Sequence, residues 1–213
     1  PRQTIITMER SVRMRSHYRA FIGVLLAAAL SVSWADQTHA RNERGRRLYD
    51  AGKYEEALEV YEEALLEAPD EAGLHANAGS VLLQLGRFDE AREAFEKART
   101  LSENKDLQAD MHYNSANASY RQGEQMMAGR NQQALQQFKA ALEGYKETLR
   151  LRPDDRDAKW NLQLAHALVK QMEQQQQDQD NKQDQQKKGQ DKQQQQKDQQ
   201  KNQQKDQQKD QQE

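Results

Sequence analysis

The feature that most constrains this chain is a residue pattern that occurs twice at an offset of 34 positions. Each copy contains a glycine, an aromatic residue, an alanine, a second aromatic residue and a second alanine at identical spacing. The two sets are Gly52, Tyr54, Ala57, Tyr61 and Ala64, and Gly86, Phe88, Ala91, Phe95 and Ala98. Five matches at one offset indicate a repeat architecture, in which each unit buries its apolar face against the next.

The spacing inside each copy predicts a helix. Ala57, Tyr61 and Ala64 stand at i, i+4 and i+7, which places them on one helical face. Small residues at both ends of that face let a neighbouring helix approach, and the aromatic ring between them fills the gap. Gly52 and Gly86 come just before these helices and predict the turn at which a preceding helix ends.

This pattern resembles the tetratricopeptide repeat (TPR), a helix–turn–helix unit of 34 residues. The resemblance assigns residues 36–71 to a first repeat and 72–108 to a second, with Gly45 and Gly79 at equivalent positions of their first helices. It implies an all-α TPR solenoid of about three repeats plus a capping helix.

A third copy, in residues 109–153, begins like the others and is then interrupted. Its first helix is expected to end at Gly123, and 13 extra residues follow before the pattern resumes. Two registers compete for the second helix, one centred on Phe138 and one, seven residues later, on Tyr145. The positions of Pro69 and Pro153 favour the later register. We therefore expect a lengthened turn, followed by a long helix over about 131–151.

The rest of the C-terminal half divides into a cap and a tail. Residues 154–171 begin with acidic residues, which favour a helix N-terminus, and predict the helix that closes the stack. Residues 172–213 are a low-complexity Gln/Lys/Asp segment without an aromatic residue, Leu, Ile or Val. We expect this tail to be disordered or transiently helical, acting as a solubilising segment, a spacer or a self-association element.

The first 35 residues have the character of an export signal. A basic segment precedes the apolar run Ala20–Leu30, and Ser33-Trp34-Ala35 fits a cleavage site if translation begins at Met14. Residues 1–35 are predicted to be a cleaved signal peptide or, alternatively, a signal anchor in the inner membrane. The favoured interpretation is cleavage, because the apolar run is shorter than the roughly 20 residues of a spanning helix.

Charge and composition exclude several classes of function. Removal of residues 1–35, with five Arg and one Glu, changes the net charge from −2 to −6, which argues against nucleic acid as the partner. The chain has no Cys, which excludes disulfides, thiolate zinc sites and a thiol nucleophile. It also lacks a phosphate-binding glycine loop and the H-E-x-x-H motif. The sequence thus predicts a non-enzymatic protein without a cofactor.

A narrower resemblance rests on the predicted signal, the repeats, the cap sequence Asp157–Ala165 and the Gln-rich tail. Together they are similar to the BatC-like TPR proteins of bacterial aerotolerance operons. The resemblance implies a scaffold in the periplasm, or anchored in the inner membrane with a periplasmic domain. It also implies partners with von Willebrand factor A domains and a MoxR-type ATPase, in tolerance of envelope or oxidative stress.

In the TPR family the first helix of each repeat lines a concave groove that binds other proteins. The resemblance carries this role over to the polar and aromatic residues at the groove positions. These candidates are Asn42, Arg46, Tyr49, Ala76, Asn77, Ser80, Gln84, Tyr113, Asn114, Asn117, Tyr120, Arg121 and Asn161. Asn77, Asn114 and Asn161 share one position, and an amide there offers both a donor and an acceptor to an extended peptide.

Each of these residue types also has a purely structural interpretation. The asparagines could tie adjacent helices together, and the tyrosines could be packing residues with satisfied hydroxyls. His75 and His112 are interpreted as half-buried helix residues rather than metal ligands, because no second ligand follows at i+3 or i+4. The carboxylate clamp of some chaperone-binding TPR domains is not reproduced, since Asn42 and Asp110 occupy two of its positions.

The leading hypothesis is a scaffold within a membrane-associated complex. The alternative is a periplasmic chaperone or assembly factor that binds peptidic clients in the same groove. Self-association through the tail is a further possibility.

Overall fold

Regular helices connected by short turns account for almost all of the chain that the computed structural model describes, residues 37–127 and 131–209. Seven helices and no strand occur in these two ranges. They are α1 (37–50), α2 (Tyr54–Glu67), α3 (Ala72–Gln84), α4 (Phe88–Leu101), α5 (Lys105–Met126), α6 (Asn131–Leu151) and α7 (Arg156–Lys209). Each helix from α2 onward packs against the next, as short connections between antiparallel neighbours require.

The first two repeats turn on glycines in the left-handed region of backbone space. Gly52 and Gly86 have φ angles of 73° and 74°, which a side chain would strain. The amide of Lys53 donates to the carbonyl of Leu48, and that of Arg87 donates to Leu82, each at 2.9 Å. These bonds close a Schellman motif after α1 and after α3, as the two glycines predict.

Side-chain caps begin α5 and α7. The Asn104 side-chain oxygen accepts from the amides of Asp106 and Leu107 at the start of α5. The Asp155 carboxylate accepts from the Ala158 amide at the start of α7 at 2.9 Å. Such caps satisfy amides that have no partner within the helix.

The core is built where a glycine of one helix lies under an aromatic ring of the next. A Cβ atom at Gly45 would come within 2.6 Å of the Tyr61 ring, and one at Gly79 within 2.7 Å of Phe95. The rings of Tyr61 and Phe95 are 2% and 0% exposed. The predicted helical faces therefore form the core of both repeats.

The third unit corrects one expectation. α5 does not end at Gly123 but continues to Met126, and Gly123 is buried within the helix, facing the ring of Phe138. A turn was expected because glycine commonly ends a helix, as it does after α1 and α3. At this position glycine instead provides the close approach that Gly45 and Gly79 provide in the first two repeats.

The long helix expected over about 131–151 is confirmed by α6. Both competing registers are present in it, because Phe138 and Tyr145 are 0% and 1% exposed on the same face. Seven residues correspond to about two helical turns, so the two registers superpose on one buried face. Most of the extra residues thus lengthen α5 and α6 rather than the turn.

α7 closes the stack and continues into the Gln-rich segment as one helix to Lys209. Ala158, Ala165, Val169 and Met172 form its buried face. The ammonium group of Lys139 lies 2.7 Å from the carboxylate of Glu173. The helix is therefore packed against α6 through the first residues of the predicted tail.

Within the ranges that the structure describes, none of the helices has a stretch long and apolar enough to cross a membrane. The predicted signal segment, residues 1–35, lies outside those ranges.

Candidate functional site

The first helices of successive units, α1, α3, α5 and α7, form one row, which we call the first-helix face. α1 and α3 are joined there by two side-chain hydrogen bonds. The Asn77 amide donates to the side-chain oxygen of Asn42 at 2.8 Å, and the Gln84 amide donates to the Tyr49 hydroxyl at 3.2 Å. Four predicted groove residues are thus brought together in pairs.

The junction of α3 and α5 depends on Arg121. Its guanidinium donates to the Leu83 carbonyl at 3.1 Å and lies 5.7 Å from the centre of the Phe88 ring. The first contact places a positive charge at the C-terminus of α3, where the helix dipole favours a cation, and the second adds a cation–π interaction. These contacts fix the position of the arginine, whose side chain is half-buried.

A polar network joins α5, α6 and α7. The Asn161 amide donates to the Tyr113 hydroxyl at 3.0 Å and to the side-chain oxygen of Asn117 at 3.4 Å. The same oxygen of Asn117 accepts from the Tyr145 hydroxyl at 2.7 Å. Burial raises the pKa of Tyr145, with a smaller contribution from Tyr113. The hydroxyl therefore stays protonated and remains a donor.

These contacts surround a pocket of about 270 Å³ between α3, α5 and α7. Five of the predicted groove residues line it. They are Gln84, Asn117, Tyr120, Arg121 and Asn161. Leu83, Tyr145 and Leu164 complete the lining, so Arg121 is the one charged residue in it.

The remaining candidates lie outside this pocket. The Arg46 guanidinium contacts Glu43 of its own helix at 2.9 Å and is largely exposed. The Ser80 hydroxyl donates to the Ala76 carbonyl in α3. Asn114 is half-buried and forms no side-chain hydrogen bond to the described residues. Ala76 is only 7% exposed and belongs to the core, so its assignment to the groove is corrected.

The structural interpretation of the asparagines accounts for two of the three. Asn77 joins α3 to α1, and Asn161 joins α7 to α5. Asn114, the third asparagine of the series, does not join two helices through a side-chain hydrogen bond to the described residues. Tyr120 packs edge-on against Phe138, with ring centres 5.3 Å apart, and burial raises the pKa of its hydroxyl.

Both histidines are half-buried, as expected. The Nε2 atom of His75 lies 2.7 Å from the carbonyl oxygen of Pro69 and donates to it. Burial lowers the pKa of His112, and the nearby Arg99 contributes to the shift. Asp110, which occupies one of the carboxylate-clamp positions, is paired with Arg152 at 2.6 Å.

Sequence reasoning missed the apolar residues beside the pocket. Trp160 and Leu164 of α7 are 68% and 42% exposed, although a capping helix is expected to have a polar outer side. They stand at i and i+4 and therefore share one helical face. Their spacing relative to Asn161 was the signal available in the sequence.

Residues 42–106 match the family model described as tetratricopeptide repeat, and the helical stack has the arrangement seen in solved TPR domains. The fold is a TPR solenoid. The first TPR domain of human RPAP3 superposes on it with a TM-score of 0.53 at 22% identity, covering 64% of this chain and 95% of that domain. The second TPR domain of human RPAP3, solved in complex with an HSP70 peptide, gives 0.52 at 20% identity, covering 62% and 98%.

One curated protein also resembles this TPR solenoid in sequence. It is the Protein O-mannosyl-transferase Tmtc3 of Drosophila melanogaster, which is 31% identical over 97 residues. The alignment covers 45% of this chain and 10% of that protein. The matching family model is that of the repeat and not of a catalytic domain, and TPR folds typically serve as non-catalytic scaffolds for protein interactions.

Proposed function

We propose that this chain is a non-enzymatic scaffold that holds an extended segment of a partner protein on its first-helix face. The observation that carries the proposal is the pocket between α3, α5 and α7, around which five predicted groove residues converge. The helices that form it are fixed to one another by side-chain hydrogen bonds. A partner would therefore meet a preformed surface, which reduces the ordering cost of binding.

The residues of this face suit a peptide backbone. The Asn114 amide can both donate and accept. Asn117 keeps its N–H groups to donate because its oxygen accepts from Tyr145 and Asn161. Such groups can bind extended chains of varied sequence. The second TPR domain of human RPAP3, whose fold is similar, was solved with a bound peptide. That precedent supports peptide capture as the mode of binding proposed for this chain.

The finer proposal concerns the setting of the scaffold. The export-like segment 1–35 and the resemblance to BatC-like proteins support a location in the bacterial envelope, either periplasmic or anchored to the inner membrane. The partners proposed there are von Willebrand factor A-type proteins and a MoxR-type ATPase, acting in stress tolerance or aerotolerance. Self-association through the Gln-rich tail belongs to the same proposal.

Crosslinking followed by capture of the tagged full chain from solubilised membranes tests this function. We expect a few stoichiometric partners and expect Asn77→Ala combined with Asn114→Ala to weaken their recovery. The matched control is Gln133→Ala combined with Gln136→Ala, which removes two exposed amides from α6. Helical circular dichroism should stay unchanged in both variants, since each loses at most about 1.5 kcal/mol per hydrogen bond.

Two results would decide against the proposal. Equal recovery of partners by the Asn77/Asn114 variant and by wild type would remove the first-helix face as the binding surface. A broad set of unrelated clients, in place of a few partners, would instead favour a periplasmic chaperone or assembly factor.

A further inference from the structure

The pocket between α3, α5 and α7 has a chemistry that selects among peptides. We propose that it is the anchor of the binding face and takes an acidic side chain flanked by bulky apolar side chains in the partner segment. This inference rests on the proposed function, because it assumes that the first-helix face holds a peptide. It adds the class of segment that is held.

The size of the pocket favours a side chain over a small-molecule cofactor. Its volume is about 270 Å³, whereas ligand pockets of about 300–1,000 Å³ enclose drug-sized molecules. Its lining comes from three helices of the first-helix face and from Tyr145 of α6. A segment lying along that face would thus pass over the pocket and could insert one residue into it.

The polar groups of the pocket favour an acceptor with negative charge. Arg121 is the one charged residue of the lining, in a chain whose net charge is −2. Within the described ranges its guanidinium uses one of five N–H donors, the one bonded to Leu83. The side-chain oxygen of Asn117 is occupied by Tyr145 and Asn161, which leaves its amide N–H groups to donate.

The surroundings of the pocket are apolar. Leu83 and Leu164 belong to the lining, and Trp160 extends the apolar surface by one helical turn along α7. Trp160 and Leu164 are 68% and 42% exposed. A bulky apolar side chain next to the acidic one would cover them and exclude water from the charged contact, which strengthens it.

The acidic group is that of an internal side chain rather than a chain terminus. The clamp residues that would bind a terminal carboxylate are not present, because Asn42 and the Arg152-paired Asp110 occupy two of those positions. A single arginine with neighbouring amides matches a single carboxylate.

Fluorescence anisotropy with labelled peptides tests the proposal on the full chain. The probe is a nonapeptide with a Leu-Glu-Leu centre in an alanine–serine background, with both termini blocked so that no terminal carboxylate is available. The comparison peptides carry Leu-Gln-Leu or Ser-Glu-Ser at the centre. We expect the Leu-Glu-Leu peptide to bind at least about tenfold more tightly than either, as loss of a charge-assisted hydrogen bond or of apolar burial implies.

Matched variants locate the binding. Arg121→Gln should reduce affinity for Leu-Glu-Leu about tenfold, to the level of Leu-Gln-Leu. Arg150→Gln removes the same charge from an exposed arginine of α6, which lies outside the first-helix face, and should change affinity less than about twofold. Because Arg121 also contacts Leu83 and Phe88, Leu164→Ser provides a second variant. It should weaken Leu-Glu-Leu and leave the weak binding of Ser-Glu-Ser unchanged.

The proposal is overturned if Leu-Gln-Leu binds as tightly as Leu-Glu-Leu, if Arg150→Gln reduces affinity as much as Arg121→Gln, or if no peptide binds. The proposed function fails separately. If partners from membranes are captured normally by Arg121→Gln but lost in the Asn77/Asn114 variant, the scaffold stands and the acidic anchor is wrong.

Discussion

In the first two repeats α2, α3 and α4 contain 13 or 14 residues, whereas α5 and α6 of the third unit contain 22 and 21. The two regions nevertheless use the same contact, a small residue under an aromatic ring. The short repeats use it once each, at Gly45 and Gly79. The third unit repeats it along the longer helices, with Gly123 under Phe138 and Ala116 packed in the same cluster as Tyr145.

The comparison shows how a helical pair can be extended without changing its neighbours. About seven added residues equal two turns, so the buried face of α6 remains aligned along its whole length. Beside Tyr145, the positions of glycine and alanine are exchanged between the two helices. A Cβ atom at Gly144 of α6 would lie 2.8 Å from that of Ala116 in α5, so here glycine is on the second helix and alanine on the first.

The largest expected effect tests whether the extended third unit contributes to the core as the second repeat does. Phe95→Ala and Phe138→Ala should each destabilise the chain by about 3–5 kcal/mol, because both rings are 0% exposed and leave a cavity. Urea unfolding followed by circular dichroism measures both. Leu66→Ala is the control, since Leu66 is 86% exposed and should cost less than about 0.5 kcal/mol. If Phe138→Ala destabilised the chain as little as Leu66→Ala, the lengthened part of the third unit would not contribute to the core.

A smaller effect distinguishes the tightness of the two glycine contacts. Gly79→Ala would place a Cβ atom 2.7 Å from Phe95, whereas Gly123→Ala would place one 3.0 Å from Phe138. Overpacking costs about 1–3 kcal/mol, and the helix propensity of alanine returns about 1 kcal/mol. We expect clear destabilisation at Gly79 and nearly unchanged stability at Gly123, measured by the same unfolding assay. The reverse order would mean that the third unit is the more tightly packed region.

The smallest effect is the pH dependence of the buried tyrosines. Burial raises the pKa of Tyr61 to about 12, above the ordinary value of about 10. Between pH 10 and the folded pKa, the folded chain keeps the Tyr61 proton that the unfolded chain has lost. The free energy of unfolding is therefore unaffected by Tyr61 below pH 10 and decreases as the pH rises through the folded pKa. In a spectrophotometric titration, wild type should show one more tyrosine ionising near pH 12 than Tyr61→Phe shows.

Tyr145 provides the comparison for the third unit. Its hydroxyl is bonded to Asn117 and its pKa is also raised by burial. Tyr145→Phe should therefore remove a group that titrates above the ordinary range of tyrosine. If Tyr145 ionised at the same pH as the exposed tyrosines, its burial and its hydrogen bond to Asn117 would be contradicted.

The regular part of the fold was predictable because its contacts repeat in sequence. Gly52 and Gly86, and the faces around Tyr61 and Phe95, carried enough information to predict the turns and the core. Gly123 was misassigned because glycine serves both as a helix stop and as a site of close approach. The distinguishing signal was the distance to the next aromatic residue, since Gly45, Gly79 and Gly123 precede Tyr61, Phe95 and Phe138 by 15 or 16 positions.

The site was less predictable than the fold. Residue types at groove positions identified Gln84, Asn117, Arg121 and Asn161, all of which line the pocket. Their hydrogen-bond partners depend on which helices meet in space, and a single sequence does not contain that information. Trp160 and Leu164 were missed for the same reason, because their spacing relative to Asn161 places them beside the groove only once Asn161 is known to face α5.

A photocrosslinking amino acid, placed on the first-helix face in one variant and on α6 in another, tests whether the first-helix face holds a partner. Gln84, which lines the pocket, is replaced in one variant, and Gln133, an exposed glutamine of α6, is replaced in the other. After irradiation of cells that produce the full chain, we expect a discrete adduct with a partner from position 84 and none from position 133. An adduct formed equally from position 133, or no adduct from position 84, would contradict this expectation.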